Sequence, residues 1–262
     1  MILVCLNREA VDATTNLPAL FEGLYFEEEN IIKKSIEQII NNVSLKDQLD
    51  MLEESGKLII TFISNYKAND DKELTYQIIG SRMFNSVVVS FKLLLSGYYQ
   101  HSASIIRDVL ESMYLLDYFS LYPEKVQEWK KCDEKKQKKE FSQVNIRTAL
   151  DERDKLSNMK RLERYKLLCK IGTHPSYEGL MLIAPNNNVI AGPFFHADYL
   201  KASLEETVQI STEAAIIFIE LFKNQHPNII KKVSCFFEKY KAWLLQYHGI
   251  ELPSIDNDIH SL

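Results

Sequence analysis

Apolar residues recur along most of this chain at intervals of three and four, the spacing that lines one face of an α-helix. The period dominates from about Glu27. From Asn30 to Val43 it sets Ile32, Ile36, Ile39 and Val43 on one side and turns Lys34 and Glu37 away. Ser44-Leu45-Lys46-Asp47 has the form of a capping box with Asp in the acidic place, so it predicts the start of a second helix. The stripe of that helix is Leu45, Leu49, Leu52, Ile59, Ile60 and Ile63. Asn69-Asp70-Asp71 breaks the pattern and supplies carboxylates that favour the next helix N-terminus.

The oiliest element runs from Glu73 to Ser96. Met83, Phe84, Val87, Val88, Val89, Phe91, Leu93, Leu94 and Leu95 leave it almost no wet face, which predicts a central position. Ser86, Ser90 and Gly97 form a stripe of small residues that lets a neighbouring helix come close. Gly97 separates this helix from the next, Gln100 to Leu121, and Pro123 suits the first turn of another. A helix from Asn158 to Ile171 ends at Gly172. The period then lapses as far as Ala197: Met181 to Ala184 and Val189 to Gly192 flank an Asn-rich turn and predict a short β-hairpin. Asp198 is the expected N-cap of a long helix through Phe222, and Pro227 opens a last helix that stops at Gly249. The expectation is an all-α bundle of about eight helices with a small hairpin insert. It forms one domain over residues 1–262, with an N-terminal arm (1–26) and a loose tail (251–262).

Composition agrees with helices, since 8 Gly and 7 Pro leave little for the tight turns of a sandwich or barrel. The four cysteines, Cys5, Cys132, Cys169 and Cys235, are widely spaced with no C-x-x-C pair, and read as reduced thiols. The oily stretches Ser86–Leu95 and Ala214–Phe222 are interrupted by Lys92 and Glu220, and neither approaches the ~20 apolar residues of a membrane span. No basic leader precedes the apolar start Met1 to Leu6. A cytoplasmic protein without a membrane partner is expected. The net charge of -5 disfavours a surface that coats nucleic acid throughout. Residues 124–170 differ, carrying 15 Lys and Arg against 9 Asp and Glu. That segment predicts two or three exposed helices with mobile joints near Glu140 and Ser157. Its Lys130–Lys139 run reads first as a solvated helix and second as a set of phosphate contacts.

Candidate chemistry is sparse. Arg107, Glu111, Tyr114 and Tyr118 follow i, i+4, i+7 and i+11 and share one face of their helix. An Arg–Glu pair between tyrosines could bind an anion or orient a catalytic group. It could equally be an ion pair on a half-exposed face, worth ~0.3–0.5 kcal/mol. His174 follows the helix that stops at Gly172, and Pro175 biases its backbone toward an extended form that projects the side chain. It could act as a general acid or base, or cap the last turn. Lys170 beside it and His196, within an aromatic stretch, are weaker binding candidates. No H-E-x-x-H, P-loop, dinucleotide fingerprint or nucleophile elbow occurs, so no metal or cofactor is expected.

The R-x-x-x-E helix around Arg107 and Glu111, with His174-Pro175-Ser176 later in the chain, resembles uncharacterised bacterial helical proteins akin to the HEPN superfamily. The resemblance covers roughly residues 75–222. It implies a helical bundle that pairs with a second copy, in which an Arg and a His act as a metal-independent ribonuclease of toxin or phage-defence systems. In that superfamily four to six residues separate the Arg from the His on one helix; Ser112, Met113 and Tyr114 stand at those places in this chain. His174 would therefore have to reach Arg107 from another helix end. Two functions follow as expectations. One is an RNA-directed effector with Arg107, Glu111 and His174 as its catalytic set. The other is a non-catalytic module that binds a protein partner or itself.

Overall fold

Helix boundaries fall where local chemistry ends a helix, but several lie away from the positions that the apolar period marks. The computed structural model describes residues 17–155, 160–222 and 227–252. Helix α1 (Ala19–Ile40) begins inside the expected arm. Leu20, Phe21, Tyr25 and Phe26 stand exposed around its first turns, so no one-sided stripe marks them as helical. Residues 1–16 of that arm, Cys5, the expected joint near Ser157 and the tail beyond Leu252 lie outside the described residues.

Helix α2 (Val43–Asn65) is capped by Asn42, whose Oδ1 accepts from Leu45 N at 3.1 Å. The cap is therefore not Ser44, which already lies inside the helix, while Asn42 holds the extended backbone that a cap requires. Helix α3 (Asp71–Leu95) starts on Asp70, whose carboxylate accepts from Glu73 N at 2.7 Å. Gly97 then turns the chain at φ +81° into α4 (Tyr99–Leu121). The basic segment forms α5 (Lys125–Lys131), α6 (Glu134–Glu140), α7 (Gln143–Arg153) and α8 (Lys160–Leu168), and a π-turn, Cys169–Thr173, follows α8. Of these four, only α6 has no buried residue. Val126 of α5, Ile146 and Leu150 of α7 and Leu168 of α8 are buried.

No strand occurs among the described residues, which corrects the expected hairpin, and the helices outnumber the eight expected. Its first arm is instead the end of a short helix, α9 (Tyr177–Met181), followed by a 3₁₀ turn at Pro185–Asn187. The chain does reverse there, and Ile190 N donates to Ile183 O at 3.0 Å. A single cross-chain bond makes no ladder. With three Asn and a Pro between them, and α9 holding the first segment, the two arms lack the length to pair further.

Helix α10 (Ala197–Glu220) lies at the centre, in contact with α1, α2, α3 and α4. Its N-cap is His196, whose Nδ1 accepts from Tyr199 N at 3.4 Å, and the expected cap Asp198 sits in the first turn. Small side chains allow this central placement. Ala214 and Ala215 are fully buried, and Thr212 exchanges a hydrogen bond with Ser55 of α2 at 2.9 Å. Helices α3 and α4 approach through Ser90 and Ser102, whose hydroxyls are 2.8 Å apart, so the small-residue stripe has its expected role. The expectation that α3 has almost no wet face is corrected: it packs on α1, α2, α4, α5 and α10 but leaves Leu74, Ile78, Val88 and Val89 exposed. By length and hydropathy α3 could also cross a membrane, a test that counts of unbroken apolar runs did not register. Helix α11 (Pro227–His248) packs on α2 and ends at Gly249, φ +64°.

Candidate functional site

Three pairs of residues, each spaced i, i+4, meet where α7 and α8 cover the polar face of α4. Arg107 and Glu111 of α4 form the expected ion pair at 2.9 Å, with side chains 23% and 24% exposed. Tyr165 and Cys169, from α8 and the π-turn, bring their oxygen and sulfur to 3.4 and 3.7 Å from Arg107 Nη1. From α7, Gln143 reaches the Glu111 carbonyl at 3.5 Å, and the Arg147 guanidinium stacks over the Tyr165 ring at 4.1 Å. The Arg107 guanidinium lies 5.9 Å from the same ring. One tyrosine ring thus lies beside two cations, an arrangement favoured by the ring quadrupole.

Burial and neighbouring charges shift two groups of this cluster, Tyr165 and Arg107, in the same direction. Burial, together with Cys169 and the Glu111 carboxylate, pushes the Tyr165 phenol up to about 12. Burial works against the charge of Arg107, but the Cys169 contact and Glu111 outweigh it and raise its pKa. The cluster holds two guanidiniums and one carboxylate, and only Arg107 pairs with that carboxylate. Arg107 Nε, Arg147 Nη1 and Gln143 Oε1 are buried without a hydrogen-bond partner. The arrangement can fix α7 and α8 on α4, and it offers cationic donors. Its neutral phenol is no base.

The other predicted residues are placed as follows. The π-turn ends on α4: Ser104 Oγ donates to Gly172 O, and a Cβ on Gly172 would lie 2.6 Å from Ser104 N. So the helix end does seat one turn from Arg107, as a composite site required. His174 follows with the extended backbone that Pro175 predicts, φ -96° and ψ 144°, and its N–H donates to Cys169 O at 2.9 Å. Its ring is exposed. Among the described residues no hydrogen bond or ion pair joins that ring to Arg107 or Glu111. Lys170 pairs with Glu178 at 2.5 Å. His196 caps α10 and stacks on Tyr199 with ring centroids 4.1 Å apart, the packing reading of its aromatic neighbours.

Tyr114 and Tyr118 share the face of Arg107, but α7, α8 and Phe141 close over it. Tyr114 is buried, and burial pushes its phenol up to about 12. Tyr118 packs among Phe119, Tyr122 and Phe141. Sequence reasoning missed Tyr165, Cys169, Arg147 and Gln143. Each pair shows i, i+4 spacing within its own helix, but nothing in sequence joins the three helices.

A second ionic layer lies beyond this cluster. Arg164 of α8 donates to Glu206 at 2.9 Å and to Glu213 at 2.8 Å, tying α8 to α10. Arg153 grips Asp117 through both terminal nitrogens and also holds Asp154. Among the described residues, no group of three or more His, Cys, Asp or Glu could hold a metal ion. Comparison with profiles of protein families, with curated proteins and with solved structures found no match to this chain.

Proposed function

We propose that this protein is a non-catalytic helical interaction module that pairs through the first turns of α1. The observation that carries this reading is an unpartnered apolar surface. Leu20, Phe21, Tyr25 and Phe26 are 70%, 52%, 51% and 65% exposed around the first turns of a helix whose later turns are anchored by buried Ile31 and Ile39. Large aromatic and aliphatic side chains gathered in water at one helix end mark a contact surface. The Arg107 cluster supports the same reading from the other direction. Its partners come from three helices, its unpaired polar atoms are sealed from solvent, and His174 makes no bond to it. Such a network fixes helices in place.

The test is self-association. Light scattering across a micromolar concentration range is expected to show a dimer. Replacing Leu20, Phe21 and Phe26 together by Gln should give a folded monomer whose unfolding midpoint, unlike that of the parent, does not depend on protein concentration. A parent protein that stays monomeric throughout the range ends the pairing proposal.

A second reading keeps the RNA-directed effector of HEPN type, with His174 as acid or base and Arg107 as anion clamp. Helix α6 favours it. No residue of α6 is buried, and among the described residues Lys135 and Lys139 there carry no ion pair. Phosphate contacts release counterions, so RNA binding by this face must weaken steeply with salt. Lys135→Gln with Lys139→Gln should flatten that salt slope. His174→Ala and Arg107→Ala should each abolish cleavage by a folded protein. Binding that ignores salt, or cleavage that survives both changes, removes this reading.

A further inference from the structure

We infer that the cleft between α4, the π-turn and α10 binds a small, uncharged, largely apolar molecule that carries one hydrogen-bonding group. The cleft holds about 230 Å3, and Ala103 and Ile106 of α4, Leu168, Ile171 of the π-turn, and Thr207 of α10 form part of its wall. An apolar cavity of about 150 Å3 already admits benzene, so this one suits a bicyclic ring or a short alkyl chain. Its walls are held from both sides. Gly172 presses the π-turn onto Ser104, and the Tyr99 and Tyr199 rings, which also line the cleft, meet edge to face at 5.8 Å. The π-turn closes α8 with a wider coil, and Ile171 within it lines the cleft.

Thr207 supplies the polar point. It is 1% exposed, and its hydroxyl has no hydrogen-bond partner. Three helical threonines elsewhere in this protein satisfy themselves on the carbonyl four residues back. Thr61 does so at 2.7 Å, Thr75 at 2.7 Å and Thr148 at 2.9 Å. Thr207 does not. Ser211, one turn on, is also unpartnered but lies outside the lining of the cleft. A buried hydroxyl can donate and accept, so a ligand hydroxyl, carbonyl or ring N–H would complete it. Charge is disfavoured because the acid at the edge, Glu206, is already committed to Arg164 at 2.9 Å, leaving no counter-charge for an ionic ligand.

The experiment measures naphthalene and 2-naphthol binding to the full chain by methyl-resolved NMR titration. The parent protein should bind 2-naphthol roughly five- to tenfold more tightly than naphthalene, the worth of one hydrogen bond. In Thr207→Val that preference should vanish while naphthalene still binds. Filling the cleft with Ala103→Leu should weaken both by at least about tenfold, the loss of 1.4 kcal/mol or more. If Ala103→Leu does not fold, Ser203→Leu fills the cleft from α10 and must give the same result. The inference is overturned if neither compound binds the parent protein, if the preference survives Thr207→Val, or if the filled cleft binds as before.

Discussion

Helices α3 and α10 reverse the roles that their sequences suggest. Helix α3, whose apolar window is long enough to cross a membrane, keeps Leu74, Ile78, Val88 and Val89 in solvent, while α10, interrupted by Ser203, Thr207, Ser211 and Thr212, buries eleven residues against the eight of α3. The difference lies in side-chain size. A helix touched from several sides must let other backbones approach, and Ala, Ser and Thr permit that where Leu and Phe do not. Hydropathy measures how much a helix gains from leaving water. It does not measure how much of its surface its neighbours will cover.

The largest effect should come at the point where the two helices interlock. Gly80 of α3 receives the Phe218 ring of α10, and that ring is fully buried against Phe62 and Phe222. Phe218→Ala is expected to cost about 3–5 kcal/mol, read from urea unfolding. A loss near zero would mean that α10 is not the centre. Gly80→Ala should come next, at about 1–3 kcal/mol, because its Cβ would lie 2.4 Å from Phe218 Cε2 and the ring has no room to retreat. Gly56→Ala is the control. Its Cβ would meet only Phe84 Cε2 at 3.5 Å, so this change should stabilise α2 by about 0.5–1 kcal/mol.

These contacts also show how far the sequence could be read. Helical period located α2, α3, α4, α10 and α11 because their apolar faces are buried on one side, and Gly97 and Gly249 stopped their helices where a positive φ was needed. Where burial does not follow one face, the period carries no signal, as in the first turns of α1. The Arg107–Glu111 pair was legible because both partners lie one turn apart on one helix. Tyr165, Cys169 and Arg147 join it from 58, 62 and 40 positions away, and only tertiary packing makes them neighbours. The hairpin failed for a similar reason: its apolar residues fit either period, and the helical start at Ser176, which caps α9 through Gly179 N at 3.0 Å, decided the matter.

The layer of α7 and α8 offers a contrast that neither α3 nor α10 provides, because it is held by charge and should respond to pH. Arg153 holds the Asp154 carboxyl at about 2; burial opposes this, and Arg161 adds to it. A carboxylate depressed in the folded state adds stability above its unfolded pKa of ~3.9, and that addition is lost as pH falls toward the folded value. The gap in unfolding midpoint between the parent protein and Asp154→Asn should therefore be full at pH 5 and close as pH falls from about 4 to 2. It should correspond to no more than about 1 kcal/mol, since the pair is near the surface. A gap that persists at pH 2 would show that the contribution is not ionic.

The smallest effect should come from the outer face of α3, and its smallness is the sharpest test of the contrast with α10. Ile78 and Val88 are 62% and 49% exposed. Ile78→Gln and Val88→Gln should each change stability by no more than about 0.5 kcal/mol, as expected where no contact is lost. The alternative for so apolar a helix is a face buried in lipid or under a partner, and the residues between these two argue against it. Arg82 holds Asp108 in an ion pair midway along the face with its side chain 66% exposed, and Asn85 and Lys92 lie exposed further along. In a bilayer centre a single Arg is disfavoured by about 2.5–3.5 kcal/mol on insertion scales, so a lipid-facing surface would not place one there. The small change should hold in buffer and in detergent alike. A loss above 2 kcal/mol, or a variant that falls out of a complex formed by the parent protein, would mean that this face is covered in the working molecule. In that case α3 would be as enclosed as α10, and hydropathy would have ranked the two helices correctly.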